Sequence, residues 1–173
     1  MHPLEVEEAL KHMTVLVDTR EQDTPAFRKR MQGLCCPYER VKLNYGDYTA
    51  KTTLPNGKEF SLANKVVVER KMNFDELCQC FTRGRDRFER EFQRAISDGA
   101  KTILLVENAS WEKAFHEEYR SMLPANALIA SMLAWSERYN VHNYFCSPNT
   151  TGKLVYKILY YALKERLEQG ECG

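Results

Sequence analysis

No stretch of this chain approaches the roughly 20 consecutive apolar residues that a membrane span requires. The start, MHPLEVEEALKHM, is acidic and lacks the apolar segment of a secretory signal. A cytoplasmic protein is therefore expected. Cysteines at metal-binding spacing are also missing. Cys35, Cys36, Cys78, Cys80, Cys146 and Cys172 include no CxxC pair, and residues two apart, as Cys78 and Cys80 are, occupy different faces of a helix. Free thiols in a reducing compartment are expected, rather than a zinc site or a disulfide framework. Neither sign of charge dominates: the net charge is +1, so any nucleic-acid binding must come from local clusters. Internal repeats, low-complexity tracts and linkers are absent.

What is present is an ordinary globular composition. The chain has 173 residues, 43% hydrophobic and 28% charged, enough to bury a core and expected to form a single domain over 1–173. MTVLVD (13–18) reads as a buried strand. A helix is expected over 23–34, capped by Asp23 or Thr24, with Pro25 in its first turn and Gly33 near its end. YERVKLN alternates like a strand, and YTAKTTL and KEFSL flank Pro55-Asn56-Gly57, a hairpin signal. KVVVE is a further strand. Asn73 caps the next helix, with Glu76 as its capping-box partner. A charged helix over about 84–98 carries Phe88, Phe92, Ala95 and Ile96 as its apolar stripe. KTILLVE and VHNYFC read as strands, SWEKAFHEEY and PANALIASMLAWSERY as helices, and Ser147-Pro148 opens a last helix over about 148–169. This alternation predicts an α/β fold, a mixed central sheet flanked by helices with an early hairpin.

Three strands end in carboxylates. TVLVD ends at Asp18, Gly46-Asp47 follows RVKLNY, and KVVVE ends at Glu69. A carboxylate at a strand end is ordinarily a solvated edge residue. Several converging at one sheet edge repel each other, and a cation offsets that cost. With only oxygen ligands at hand, the ion expected is Mg2+ or Mn2+. Alternate residues of a strand share a face, so Glu69 and Lys71 point together and Arg70 points away. Carboxylates holding a metal beside an ammonium can hydrolyse a phosphodiester. The plainer reading of Glu-x-Lys alone is a salt-bridged, solvent-exposed edge.

The combination VDTRE, NYGDY and VVVERKMNFDEL resembles the XPF/MUS81 (ERCC4-type) nuclease domain, whose signature is Gly-Asp, a variable stretch, Glu-Arg-Lys, three residues and Asp. Here these are Gly46-Asp47, Glu69-Arg70-Lys71 and Asp75. The resemblance covers about residues 13–146. It implies a restriction-endonuclease-like nuclease core of the PD-(D/E)xK class, divalent metal, and products with a 5′-phosphate. It also implies that Asp47 and Glu69 are metal ligands, with Asp18 a direct or water-mediated one, and that Lys71 is the catalytic lysine. Glu21, Arg20 and Arg70 match positions that support the site. Asp75 also lies where an acid complements a helix dipole. The helix-hairpin-helix and helicase domains of many members have no counterpart in these residues, so a compact stand-alone nuclease of a bacterium or phage is expected.

RGRDRFERE brings Arg83, Arg85, Arg87 and Arg90 together, with Arg94 a turn later. Interleaved acids fit a solvated helix face, whereas the flexible Gly84 and the arginine forks fit phosphate contacts from Arg83, Arg85 and Arg87, with Arg20 added. The last helix is apolar enough to pack on the sheet or to build a homodimer face with its tyrosines. His116 and His142 have no motif partners. The expected function is a metal-dependent DNA endonuclease acting on branched or flapped duplex. A Holliday-junction resolvase or less selective nuclease is the alternative, and a non-catalytic DNA-binding scaffold is the other. The acids a scaffold would have lost, Asp18, Asp47 and Glu69, are all present along with Lys71.

Overall fold

The computed structural model describes residues 1–172; Gly173, the last residue of the expected domain, lies outside the described residues. The strands are β1 (Thr14–Asp18), β2 (Tyr38–Val41), β3 (Tyr48–Thr53), β4 (Glu59–Ser61), β5 (Val66–Lys71), β6 (Lys101–Glu107) and β7 (Val141–Cys146). The helices are α1 (Pro3–Lys11), α2 (Pro25–Gln32), α3 (Phe74–Phe81), α4 (Arg85–Ser97), α5 (Trp111–Phe115), α6 (Ala125–Tyr139) and α7 (Thr151–Glu168). The sheet runs β2-β1-β3-β5-β6-β7, with β4 paired to β3 off this path. The pairs β1–β2, β5–β6 and β6–β7 are parallel, whereas β3 is antiparallel to β1, β4 and β5. This is the expected mixed sheet flanked by helices.

The strands β5 and β6 are buried on both faces, which is why KVVV and ILLV read as unbroken apolar runs. Val66, Val68, Ile103 and Leu105 pack with Phe27, Leu34, Val155, Leu159 and Leu163 beneath α1, α2 and α7. Leu104 and Val106 pack with Phe81, Phe88, Phe92, Leu128 and Trp135 beneath α3, α4 and α6. Val67 faces Ala95 of α4. By alternation Glu69 and Lys71 lie on the α4 side, and Arg70 lies on the α7 side.

Helix α1 adds an element to those expected from the sequence, and its signals are ordinary ones. His2 and Glu5 form a reciprocal cap, Pro3 occupies the first turn, and Val6, Ala9 and Leu10 bury one stripe. An acidic segment with only three buried residues reads as solvated until the α7 groove is known. The helix expected over 110–119 spans only Trp111–Phe115. The strand expected over 65–69 continues through Lys71, because charged residues at a sheet edge are satisfied by partners the local sequence does not show. Asn73 caps α3 as expected, its Oδ1 accepting from the Glu76 N–H (2.9 Å), while Glu76 Oε2 accepts from the Met72 N–H (2.7 Å) rather than from the Asn73 N–H.

The functional edge follows from topology. Because β3 runs against β1 and β5, its first end meets their last ends, and Asp47, just before β3, lies between Asp18 and Glu69. The Asp47 N–H donates to Val68 O (2.8 Å) and its carbonyl accepts from the Asp18 N–H (2.9 Å). The strands β3 and β5 then part after a single pair, Tyr48↔Val68. Gly46 makes the approach feasible: its φ is +75°, and a Cβ there would sit 2.8 Å from Val67 Cβ. Gly46→Ala should therefore destabilise the protein by about 3 kcal/mol through backbone strain and overpacking, measured by chemical denaturation.

Candidate active site

A cleft of about 660 Å³ opens at this edge. Asp47, Glu69 and Lys71 form one wall; Gln79, Cys80, Arg83, Arg87, Phe88 and Glu91 from α3, α4 and their connection form the other, and Arg20 reaches in beside them. Lys71 Nζ donates to Glu69 Oε1 (2.6 Å) in a pair that is about nine-tenths buried, and the ammonium also lies 5.0 Å from the centre of the Phe88 ring. The Arg70 N–H donates to Asp47 Oδ2 (2.8 Å). Among the described residues, Asp47 Oδ1 and Glu69 Oε2 accept no hydrogen bond.

Burial and the facing Glu69 carboxylate push the Asp47 carboxyl well up from its ordinary range. Glu69 is likewise raised, chiefly by burial, although Lys71 opposes the shift. Burial alone would lower the Lys71 ammonium, but Glu69 and Asp47 beside it hold its pKa well above the ordinary value. Lys71 is therefore an ammonium at neutral pH.

The reverse face of β5 is a support. Arg70 clasps Glu107 with two bonds (Nε–Oε1 2.7 Å, Nη2–Oε2 3.0 Å), and the Thr151 hydroxyl donates to Glu107 Oε1 (2.7 Å). Burial pushes Glu107 up, but Arg70 and Thr151 hold it below its ordinary value. This clasp sets the orientation of Arg70, whose own N–H positions Asp47. Glu107 closes KTILLVE, and a lone acid ending a buried strand beside ERK was the signal for it.

The remaining expected site residues divide. Asp18 is fully buried and does not line the cleft. Its Oδ1 accepts from the Arg20 N–H (2.8 Å) and Nε–H (2.7 Å), and its Oδ2 accepts from the Leu43 N–H (2.8 Å). The metal-ligand role expected for Asp18 thus meets a carboxylate already engaged at both oxygens, and its position suits holding Arg20. Glu21 also stands off the cleft, with Oε2 accepting from Arg30 Nη2 (3.1 Å) and the Tyr48 hydroxyl (3.3 Å). Arg20 reaches the cleft but is paired with Asp18 and, through Nη1, with Glu91 (3.1 Å), so it is not a free phosphate contact. Arg83 and Arg87 are exposed at the cleft. Arg85 turns away: it donates to Ser131 Oγ (3.2 Å) and lies 5.3 Å from the Trp135 ring. The DNA contact expected of Arg85 thus falls on a side chain directed to α6 and not to the cleft. Asp75 Oδ1 accepts from the Arg120 and Ser121 N–H groups (both 2.8 Å), fastening the loop before α6. Glu91, which shares the cleft, was not singled out by the sequence because RFERE reads as one more alternation of charge.

Two hard-oxygen donors, Asp47 part-buried and Glu69 buried, each with a vacant oxygen and each with its carboxyl pushed up from the ordinary range, fit a small divalent cation such as Mg2+ or Mn2+. Among the described residues, no trio of acidic, histidine or cysteine side chains is already gathered as a cage.

A mixed sheet carrying acids and a lysine on one face of a strand end, under a helix that supplies arginines, defines an α/β nuclease domain. The chain belongs to the ERCC4 domain family: the family model matches residues 17–158, reaching further into α7 than the motifs alone. The structure of XPF from Aeropyrum pernix is similar to this chain, with 19% identity and a TM-score of 0.62 over 91% of this chain and 69% of that one. A structure of the same protein in complex with DNA is similar at 21% identity and a TM-score of 0.61, over 89% of this chain and 66% of that one. These likenesses establish the fold. A comparison with curated proteins gives no match. No helix among the described residues is long and apolar enough to cross a membrane.

Because Asp47 is protonated more readily folded than unfolded, its ionisation opposes folding, and stability falls as pH rises through that interval. Without metal, Asp47→Asn should therefore melt higher than the parent at pH 7, with the gap narrowing as pH falls through that interval and closing by about pH 4. Mg2+ should raise the melting temperature of the parent and not that of the variant, as read by calorimetry.

Proposed function

We propose that this chain is a divalent-metal-dependent DNA endonuclease, acting as a single domain over 1–173 and selective for branched or flapped duplex. The observation that carries the reading is the Asp47–Glu69 pair with its vacant oxygens beside the Lys71 ammonium on one cleft wall. Asp47 and Glu69 would hold Mg2+ or Mn2+, and the bound ion supplies Lewis-acid polarisation of the scissile phosphate and activation of the attacking water. In hydrolysis the water oxygen bonds to phosphorus, the P–O3′ bond breaks, and the 5′-phosphate remains on the product. Lys71 meets the charge that develops on the phosphate, a role its protonated state suits. It is no general base, since its proton is held by Glu69. Arg70 positions Asp47, Asp18 positions Arg20, and Glu21 braces Arg30 and Tyr48 behind the sheet.

Branch selectivity is supported by shape. The cleft shares Glu76, Gln79 and Arg83 with a second hollow of about 530 Å³ that also contains Arg120. Two grooves that share a rim carrying Arg83 suit a substrate with two arms. Arg87, Arg90 and Arg94 lie exposed along α4, where arginine forks match phosphate. The similar Aeropyrum pernix complex with DNA supports the substrate class. The homodimer reading is supported by α7, which leaves Leu154, Tyr156, Ile158, Tyr160 and Tyr161 incompletely covered.

Labelled flap, fork, four-way-junction and linear substrates, each with Mg2+ and with EDTA, test the reading. Cleavage of flap and fork in Mg2+ alone is expected. Four-way junctions cut first would mark a resolvase, even cutting a less selective nuclease, and full activity in EDTA would overturn the metal-dependent reading. In a salt titration of DNA binding, Arg83→Ala and Arg87→Ala should each lower the slope by about one counterion. Arg85→Ala should leave the slope unchanged and cost about 1 kcal/mol of stability through its lost packing on Trp135.

A further inference from the structure

We propose that Glu91 is a third carboxylate of the metal site, held back by Arg20 until the ion arrives; this rests on the metal-dependent reading above. With no three-acid cage in place, Asp47 and Glu69 alone would leave a hard cation few protein oxygens. Glu91 is the further acid that supports completion of the set. It sits on α4 opposite them, in the same cleft, with its side chain 15% exposed. Only Oε1 is engaged, by Arg20 Nη1, and Oε2 accepts no hydrogen bond among the described residues.

Arg20 is itself anchored. Its main-chain N–H and Nε–H both donate to Asp18 Oδ1, so its guanidinium is presented to Glu91 by a fully buried acid. The guanidinium, like the Lys71 ammonium, lies near enough to lower the proton affinity of Glu69. Two side-chain cations thus serve the acids in the metal-free state. A second observation lies behind the acids. A small void of about 10 Å³ is lined by Glu69, Glu91 and Thr102, and the Thr102 hydroxyl, on a residue 2% exposed, has no partner. The void is about the size of one water, which would join that hydroxyl to the carboxylates and provide Glu91 with a polar backing.

The movement required is small. Rotating the Glu91 side chain breaks one part-exposed ion pair, which is weak in water, and exchanges it for a divalent charge. Arg20 is then released from Glu91 while still held by Asp18, free to face a phosphate.

Mn2+ binding to the full chain without DNA, measured by calorimetry and by the loss of free Mn2+ signal in electron paramagnetic resonance, separates the possibilities. Glu91→Gln should weaken Mn2+ binding about tenfold, Glu91→Asp should recover part of the loss, and Asp18→Asn should change it little. Arg20→Ala should tighten Mn2+ binding in the parent and do so much less when Glu91→Gln is also present. Unchanged Mn2+ affinity in Glu91→Gln, with Asp47→Asn and Glu69→Gln both failing to bind, would overturn this proposal and leave the metal-dependent reading standing. Parental Mn2+ affinity in Asp47→Asn would remove that reading itself. Should Glu91→Gln fail to fold, the Arg20→Ala variant decides: no gain in affinity overturns the proposal.

Discussion

Two carboxylates held on the same low-dielectric wall repel each other, and Asp47 and Glu69 cannot both ionise there without a neighbouring positive charge. In this protein the Lys71 ammonium supplies part of that charge, at 2.6 Å from Glu69. Much of the local architecture follows from sustaining the arrangement. Asp47 is fixed by main-chain bonds to the ends of β1 and β5. Gly46 allows the approach over Val67. The strand β3 pairs with β5 only at Tyr48↔Val68, and β4 takes the same edge further along.

The strand β5 works because its two faces do different things. On the α4 side Glu69 and Lys71 face the cleft. On the α7 side Arg70 is clasped by Glu107, which Thr151 fixes in turn. A residue contributed by α7 therefore steadies Asp47 through two intermediaries, Glu107 and Arg70. The close crossing of α7 over α2 at Gly152 and Gly33, where a Cβ on Gly152 would collide with Arg30 O, keeps Thr151 in place.

The arginines divide by the same logic of prior commitment. Arg20, Arg30 and Arg70 are each paired with a carboxylate that structure supplies, and Arg85 is spent on Trp135 and Ser131. Arg83 and Arg87 remain exposed at the cleft. The cleft itself is mixed in charge, with Arg20, Lys71, Arg83 and Arg87 standing among Asp47, Glu69, Glu76 and Glu91, so phosphate attraction falls to the exposed Arg83 and Arg87, whose fields act over about a Debye length.

The sequence by itself determined the order of the strands and of the helices after α1, the hairpin at Pro55-Asn56-Gly57, and the opposite facing of Arg70 against Glu69 and Lys71. Each of these follows from local periodicity, turn chemistry or strand alternation, which neighbouring residues carry within themselves. Tertiary structure decided which face of α1 is buried, since Val6, Ala9 and Leu10 gain their partners from α7 and β3. It alone decided that Asp18 and Glu21 stand behind the cleft, that Arg85 turns to α6, and that Glu91 faces Glu69. In RFERE every charge is locally equivalent. Which one is engaged, buried or free depends on elements tens of residues away, because electrostatic partners are chosen by distance in space and not by spacing along the chain.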